Sequence, residues 1–271
     1  MRERLGLLVR LLKRLSAPLY WWYEKRLEHE VRTVGKLPTH LGLILDGNRR
    51  YARAKGMATE LGHTMGADKA KQVIEWCADL GITHITLWVF SSDNKSRDQA
   101  EVAHLYRLFA EQARAMAQDR RVHRHRVRVR TIGEIEQLPE DVRASFAELE
   151  QATQDYDGLQ LYIALAYGGR EEIVAAMRKA LLARAQAGQS LEQAAAELSA
   201  EDINAALYAA PRPEPDFIIR TSGEIRLSGF LLWQSVYSEF YFCDAYWPEF
   251  RKTDFLRALR SYQQRQRRYG R

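Results

Sequence analysis

The stretch Leu41-Gly42-Leu43-Ile44-Leu45-Asp46-Gly47-Asn48-Arg49-Arg50 decides how the chain reads. An apolar run of strand length stops at a carboxylate, a glycine, an amide and two guanidinium groups. In α/β proteins, ligands collect at the carboxyl ends of the strands. Glycine lets the backbone come close to a ligand, and arginine takes phosphate oxygens in a fork. Asp46 would repel a phosphate held by Arg49 and Arg50 unless a divalent cation bridged them. Mg²⁺ commonly does so, through one or two carboxylates and substrate oxygens. Taken alone, the same residues could form a strand-to-helix corner with Asp46 as its cap.

At 271 residues with 46% hydrophobic content, the chain can build one large core, and no composition break marks a second. Two cysteines, Cys77 and Cys243, are too few for a disulfide framework and fit a reducing, cytoplasmic setting. A formal charge of +6 favours anionic partners without choosing among phosphates, nucleic acid and membrane surfaces.

Residues 1–35 form an extension ahead of a body spanning 36–271. In it Leu5, Leu8, Leu12, Leu15, Leu19 and Trp22 recur at helical spacing. Arg10, Lys13 and Arg14 interrupt any apolar core, which argues against a signal peptide and against a transmembrane span. Pro18 is expected to kink or restart the helix. The extension reads either as a helix packed on the body or a partner subunit, or as a basic amphipathic helix in which residues 1–30 touch anionic lipid.

Further along, apolar runs alternate with helical patterns. Strands are expected at Leu41–Leu45, Ile85–Phe90, Val127–Ile132, Gln160–Leu165, Phe217–Arg220 and Phe240–Phe242. A helical stripe of Ala67, Ala70, Ile74 and Cys77 separates the first two strands. Helices are also expected over 94–120, 143–154 and 171–187, with capping boxes at Ser190/Gln193 and Ser199/Asp202. This is an α/β chain with a mostly parallel, six-stranded central sheet covered by helices. The basic segment 120–130 alternates Val127 and Val129 with Arg126, Arg128 and Arg130. That pattern reads as a strand with a solvated cationic face; no aromatic residue is interleaved to stack bases, so no nucleic-acid partner is expected.

Polar clusters follow the strands. Gly62-His63-Thr64-Met65-Gly66 is expected just ahead of a helix, where free N–H groups favour an anion. Ser91-Ser92-Asp93-Asn94-Lys95-Ser96-Arg97 follows the second strand. Arg220-Thr221-Ser222-Gly223-Glu224-Ile225-Arg226-Leu227-Ser228 follows the fifth, with two arginines and three hydroxyls. The glycine patterns of nucleotide-binding loops are missing, and no Cys/His spacing suggests zinc. One anion site with an acid and a second rich in arginine suggest a reaction between two diphosphates.

Six motifs in order carry a resemblance. They are Asp-Gly-Asn-x-Arg from Asp46, Gly-His-x-x-Gly from Gly62, Phe-Ser-x-x-Asn-x-x-Arg from Phe90, Tyr-Gly-Gly-Arg from Tyr167, Arg-Thr-Ser-Gly-Glu-x-Arg-x-Ser from Arg220, and Trp-Gln-x-x-Tyr-x-Glu from Trp233. Over about residues 38 to 270 the chain resembles the cis-prenyltransferases. The resemblance implies a homodimer with a central, mostly parallel sheet and an apolar tunnel. It also implies Mg²⁺-dependent condensation of isopentenyl diphosphate with an allylic diphosphate, geranyl or farnesyl, to a Z-configured product.

Carried onto this sequence, the resemblance makes Asp46 the metal-binding catalytic acid, with Glu239 completing the metal site. Gly47, Asn48, Arg49, Arg50, Tyr51 and His63 would hold the allylic diphosphate. Ser91, Ser92, Asp93 and Arg97 would position isopentenyl diphosphate, and Asn94 sits where the family places proton removal. An amide is a poor base, so Asn94 is read as orienting the substrate while diphosphate takes the proton. Arg220, Arg226, Leu227 and Ser228 would clamp isopentenyl diphosphate. Arg268-Tyr269-Gly270 resembles an ending that reaches the partner's site.

The chain departs from the long-chain pattern at Thr59, Lys95, Ala166 and Ile225, which usually hold arginine, tryptophan, asparagine and histidine. Val89 stands where long-chain members have alanine and short-chain members a larger residue. With the farnesyl-type character of residues 220–235, this points to a short or medium product, with an undecaprenyl-type long chain as the alternative. A non-catalytic supporting subunit would have lost the first-motif acid, and this chain keeps it.

Overall fold

The computed structural model describes residues 2–265, with side chains from residue 18 onward. The side chains of Leu5, Leu8, Leu12 and Leu15, and the Arg268-Tyr269-Gly270 ending, lie outside the described part. Two compact units are present, one drawn from Met1–Leu37 and Phe250–Arg271, the other from Pro38–Glu249.

In chain order the elements are α1 (Arg2–Val34), β1 (His40–Ile44), α2 (Asn48–Ala54), α3 (Thr59–Leu80), β2 (His84–Trp88), α4 (Gln99–Ala117), α5 (Arg120–Arg124), β3 (Arg128–Ile132), α6 (Glu140–Thr153), β4 (Gln160–Ala164), α7 (Gly169–Gln186), α8 (Leu191–Glu197), α9 (Ala200–Ala206), β5 (Phe217–Arg220), β6 (Glu239–Phe242) and α10 (Lys252–Gln263). The six strands form one sheet in the order β3-β4-β2-β1-β5-β6, with every pair parallel. All five residues of β1 and all four of β5 are buried, as strands covered on both faces must be. The expected strands are all present, most of them shifted by one residue.

The strand order fixes where a ligand can bind. From β1 the chain builds outward through β2, then returns to lay β5 on the other side of β1. The order therefore switches direction between β1 and β5. A crevice opens outside the carboxyl ends of strands at such a switch point. Ile44 lies opposite Arg220 in the register, so Asp46 and the 220–228 cluster emerge side by side.

Several expectations are corrected. The residues 62–66 lie within the first two turns of α3, not ahead of a helix. Their glycines serve close packing instead: a Cβ on Gly62 would sit 2.4 Å from the Asn48 carbonyl oxygen, and one on Gly66 2.4 Å from Asn48 Oδ1. Residues 94–120 are not one helix. A short 3-10 turn (Ser92–Ser96) precedes α4, which Asp98 caps by accepting from the Ala100 and Glu101 amides. The basic segment is split too. Arg120–Arg124 is helical, Arg126 turns through φ 48, and only Arg128 and Arg130 alternate with buried Val129 on β3. Its cations meet acids of the same chain, Arg121 and Arg124 at Glu75 and Arg126 at Asp157. Both expected capping boxes are present.

In the smaller unit, α1 runs through Pro18 without a break and packs on α10, burying Leu27 and Val31. Among the described residues no helix is long and apolar enough to cross a membrane.

Candidate active site

At the switch point a cavity of about 560 Å³ opens between the ends of β1, β2 and β5. Five arginines (Arg49, Arg50, Arg53, Arg97 and Arg220) and two aspartates (Asp46 and Asp93) line it, an imbalance that suits a polyanion.

The end of β1 is held from several sides. The Asp46 carbonyl accepts from Thr221 Oγ1 (2.6 Å) and from the Trp247 amide (3.1 Å). Gly47 takes φ +110, and a Cβ there would meet Tyr246 at 2.8 Å, so only glycine fits the corner. Its carbonyl accepts the Tyr51 amide and begins α2. This corner aims Asp46 into the cavity. Its Oδ2 receives Arg220 Nη2 at 2.7 Å and its Oδ1 receives Arg50 Nη2 at 3.0 Å. Burial alone would raise the carboxyl pKa, but the bonds from Arg220 and Arg50 outweigh it, and Asp46 lies below the usual carboxylate range.

Arg50 also reaches Glu224 Oε1 (2.5 Å) and Ser222 Oγ (2.6 Å). Arg220 is held by the Arg226 carbonyl (2.5 Å) and Ser228 Oγ (3.0 Å). The arginines are thus fixed in place before any anion arrives. This limits the reorganisation needed when charge develops.

Glu101, on α4, forms a second anchor that the sequence reading missed. Its Oε1 lies 3.1 Å from Arg97 Nη1, 3.2 Å from His63 Nε2 and 3.6 Å from Arg49 Nε. Burial lowers the His63 pKa against the opposing pull of Glu101, so the imidazole is neutral at pH 7 and available as a single donor or acceptor. The Arg97–Glu101 spacing of four residues was the one available sequence signal.

The structure brings Asp46, Gly47, Asn48, Arg49, Arg50, His63, Val89, Ser91, Asp93, Asn94, Arg97, Arg220 and Ser228 to this one cavity. Asn94 Oδ1 accepts the Ser91 amide at 3.2 Å, which shapes the 91–97 loop. Other expected residues stand apart from the lining. Tyr51 is buried in α2 with Lys55 over its ring. The Arg226 side chain pairs with Glu224 and contributes its carbonyl to Arg220. Leu227 packs against the core. Ser92 flanks the cavity, its amide bonded to the Tyr167 carbonyl. Glu239 opens β6 opposite Phe217, at the amino end of the sheet, so within this chain it does not join Asp46 at the carboxyl end. No cluster of three or more His, Cys, Asp or Glu suited to a metal occurs among the described residues.

Below the cavity lies an apolar one of about 100 Å³. The two share Leu45, Asn48, His63, Val89 and Leu105. Its deeper wall comes from α3, α4 and α6, with Ile74, Leu108, Met116 and Phe146. Gln112 interrupts that wall, and its Oε1 is buried with no hydrogen-bond partner. The arrangement fits a molecule with a diphosphate head and a hydrocarbon tail.

Comparison with known proteins agrees. Residues 44–270 match the family described as putative undecaprenyl diphosphate synthase. The isoprenyl transferase of Deinococcus radiodurans is 58% identical, over 93% of this chain and 92% of its own length. The tritrans,polycis-undecaprenyl-diphosphate synthase (geranylgeranyl-diphosphate specific) of Methanopyrus kandleri is 45% identical, over 94% of this chain and 92% of its own. Among solved structures, lavandulyl diphosphate synthase from Lavandula x intermedia, in complex with dimethylallyl diphosphate, superposes with a TM-score of 0.79. It is 32% identical, and the match covers 87% of this chain and 99% of that one.

Proposed function

Given that the chain belongs to the undecaprenyl diphosphate synthase family of cis-prenyltransferases and is a prenyltransferase, we propose that it condenses isopentenyl diphosphate with geranyl or farnesyl diphosphate into a Z-configured product of short to medium length. The observation that carries this reading is the union of an arginine-lined cavity with an apolar one across Val89 and Leu105.

The allylic C–O bond ionises, leaving negative charge on diphosphate and positive charge on carbon. Arg49, Arg50 and His63 line the cavity and would hold the departing diphosphate as it gathers charge; preorganised donors there lower the barrier. Arg97, Arg220 and Ser228 would hold the second diphosphate. Asn94 orients isopentenyl diphosphate, whose C4 bonds to the allylic carbon and whose C2 proton then passes to the released diphosphate. Leu45, Val89 and Leu105 keep water from the cation.

Asp46, a carboxylate that faces the cavity, is the residue of this chain that would hold Mg²⁺, which commonly takes one or two carboxylates beside substrate oxygens. When bound it would screen the diphosphate charge and polarise the leaving group. Glu239 could take part only from outside this chain's own site, in a homodimer. The homodimer, a cytoplasmic setting and a peripheral lipid contact through residues 1–30 belong to the same proposal.

Val89 at the neck and the small apolar cavity support a short or medium product. The name of the Methanopyrus relative favours a second reading, an undecaprenyl-type chain. Incubation with Mg²⁺, isopentenyl diphosphate and either primer, followed by mass spectrometry, separates them. One to a few added isoprene units support the first reading, a ladder ending near eleven units in all the second. Unreacted primer would contradict both.

A further inference from the structure

Tyr167, Gly168 and Gly169 lie at the corner between β4 and α7, and none of the three lines the cavity. Their backbone nevertheless touches two of its walls. Toward the 91–97 loop, the Tyr167 amide donates to the Phe90 carbonyl at 3.1 Å. The Tyr167 carbonyl accepts the Ser92 amide and Trp88 Nε1, both at 3.2 Å. Toward the 220–228 segment, the Gly169 amide donates to the Gly229 carbonyl at 2.8 Å. Neither approach leaves room for a side chain. A Cβ on Gly168 would sit 2.7 Å from Ser92 Oγ, and one on Gly169 2.6 Å from the Gly229 oxygen.

A buried carboxylate holds this corner. Glu172, in the first turn of α7 and 1% exposed, accepts from the Tyr167 hydroxyl, from Gln234 Nε2 at 3.0 Å and from the Tyr208 amide at 3.1 Å. Arg212 Nη2 lies 3.7 Å from it. Burial first, and then the Glu172 charge, push the Tyr167 hydroxyl well above the ordinary phenol range, so it stays a donor. A buried carboxylate stripped of its donors is costly, so these groups hold one another in place. Gln234 follows Gly229 by five residues, so that stretch is tied to α7 twice.

We infer that Tyr167 and Glu172 are positioning residues for the second diphosphate. Through the Tyr167–Gly169 corner they set the spacing between the 91–97 loop and the 220–228 segment, which carry Arg97, Arg220 and Ser228. Neither side chain reaches the cavity, so both act through the backbone they fix. The fit of an anion between two walls is sensitive to their separation. The inference rests on the reading of those two segments as the seat of isopentenyl diphosphate.

The test compares the full chain with Tyr167→Phe, which keeps the ring and loses the donor, and with Gly169→Ala, which presses on the Gly229 carbonyl. Two readouts are taken: KM for each substrate, and amide hydrogen exchange over residues 91–97 and 227–235. In both variants KM for isopentenyl diphosphate should rise about tenfold while KM for the allylic primer changes little. Exchange should quicken about tenfold in the two segments together. Val122→Ala, which removes buried volume on α5 at the other end of the sheet, should leave KM for isopentenyl diphosphate where it was. Unchanged KM and unchanged exchange in both variants would overturn the proposal. So would an equal rise in both KM values, or faster exchange spread evenly over the sheet, since either marks a general loss of stability. Faster exchange confined to the two segments, in a chain whose wild type transfers no prenyl group, would remove the reading of the active site and leave the bracket standing.

Discussion

Asp46, just past the end of β1, and Arg220, the last residue of β5, are 174 positions apart in sequence and 2.7 Å apart in the fold. Adjacent parallel strands make that meeting unavoidable, because Ile44 and Arg220 are register partners. Arg220 also spans to Ser228 and the Arg226 carbonyl. It therefore needs a planar fork, which lysine cannot supply. Arg220→Lys is expected to raise KM for isopentenyl diphosphate about tenfold or more while KM for the allylic primer changes little; steady-state kinetics with each substrate varied in turn checks this.

Gly62 brings α3 against α2. A methyl group there would press on the Asn48 carbonyl at 2.4 Å and on Ala52 at 3.0 Å. Backbone cannot yield as a side-chain tip does, so Gly62→Ala should cost about 1–3 kcal/mol despite alanine's better helix propensity. Because Asn48 and Arg49 would move with α2, KM for the allylic primer should rise as well. Chemical denaturation and primer kinetics on the same preparation read both effects.

Product length should respond to the wall of the apolar cavity. Each added isoprene unit buries five carbons at about 0.8 kcal/mol per CH₂, while overfilling a packed wall costs about 1–3 kcal/mol. Val89→Ala removes bulk at the neck, and Gln112→Leu removes an unpartnered amide oxygen from the wall. Both changes should shift the product distribution toward longer chains. An unchanged distribution in both variants would mean that these positions do not set length.

Stability should fall on acidification through His40. Its ring is fully buried, with Nδ1 2.7 Å from the Pro213 carbonyl and Nε2 2.8 Å from Thr86 Oγ1. Burial lowers its pKa from 6.5 to about 3. Between those values the unfolded chain binds the proton and the folded chain does not, so stability is lost as pH falls below 6.5, by up to about 1.4 kcal/mol per pH unit. Asp46, lowered from its ordinary 3.8, adds a loss of the same sign only at lower pH. Denaturation midpoints measured from pH 7.5 to 4 should decline, and His40→Gln, less stable at pH 7.5, should flatten the slope below 6.5.

The strands were legible because buried parallel strands are written as short β-branched apolar runs, and Asp46, Arg50 and Arg220 followed from the residues that terminate them. Their pairing was not legible, since it depends on β5 returning to lie beside β1. Residues 62–66 misled because two glycines and a histidine read as an anion-binding turn, when the glycines answer to Asn48 on α2. Glu101 sat unremarked as an acid near the start of a helix; only folding shows Arg49, His63 and Arg97 around it. Gln112 carried no signal of its own in the sequence, since nothing local marks which face of α4 meets a cavity.

The central claim is that the cluster around Asp46 is where the two substrates are joined. Single-turnover incorporation of labelled isopentenyl diphosphate, comparing the wild-type chain with Asp46→Asn, tests it directly. The variant keeps the shape of the side chain and its neighbours but removes the charge between Arg50 and Arg220. The account predicts a cooperatively folded variant whose bond-forming rate falls about a thousandfold or more, a loss of roughly 4 kcal/mol in transition-state stabilisation. Incorporation within a few-fold of wild type would contradict it.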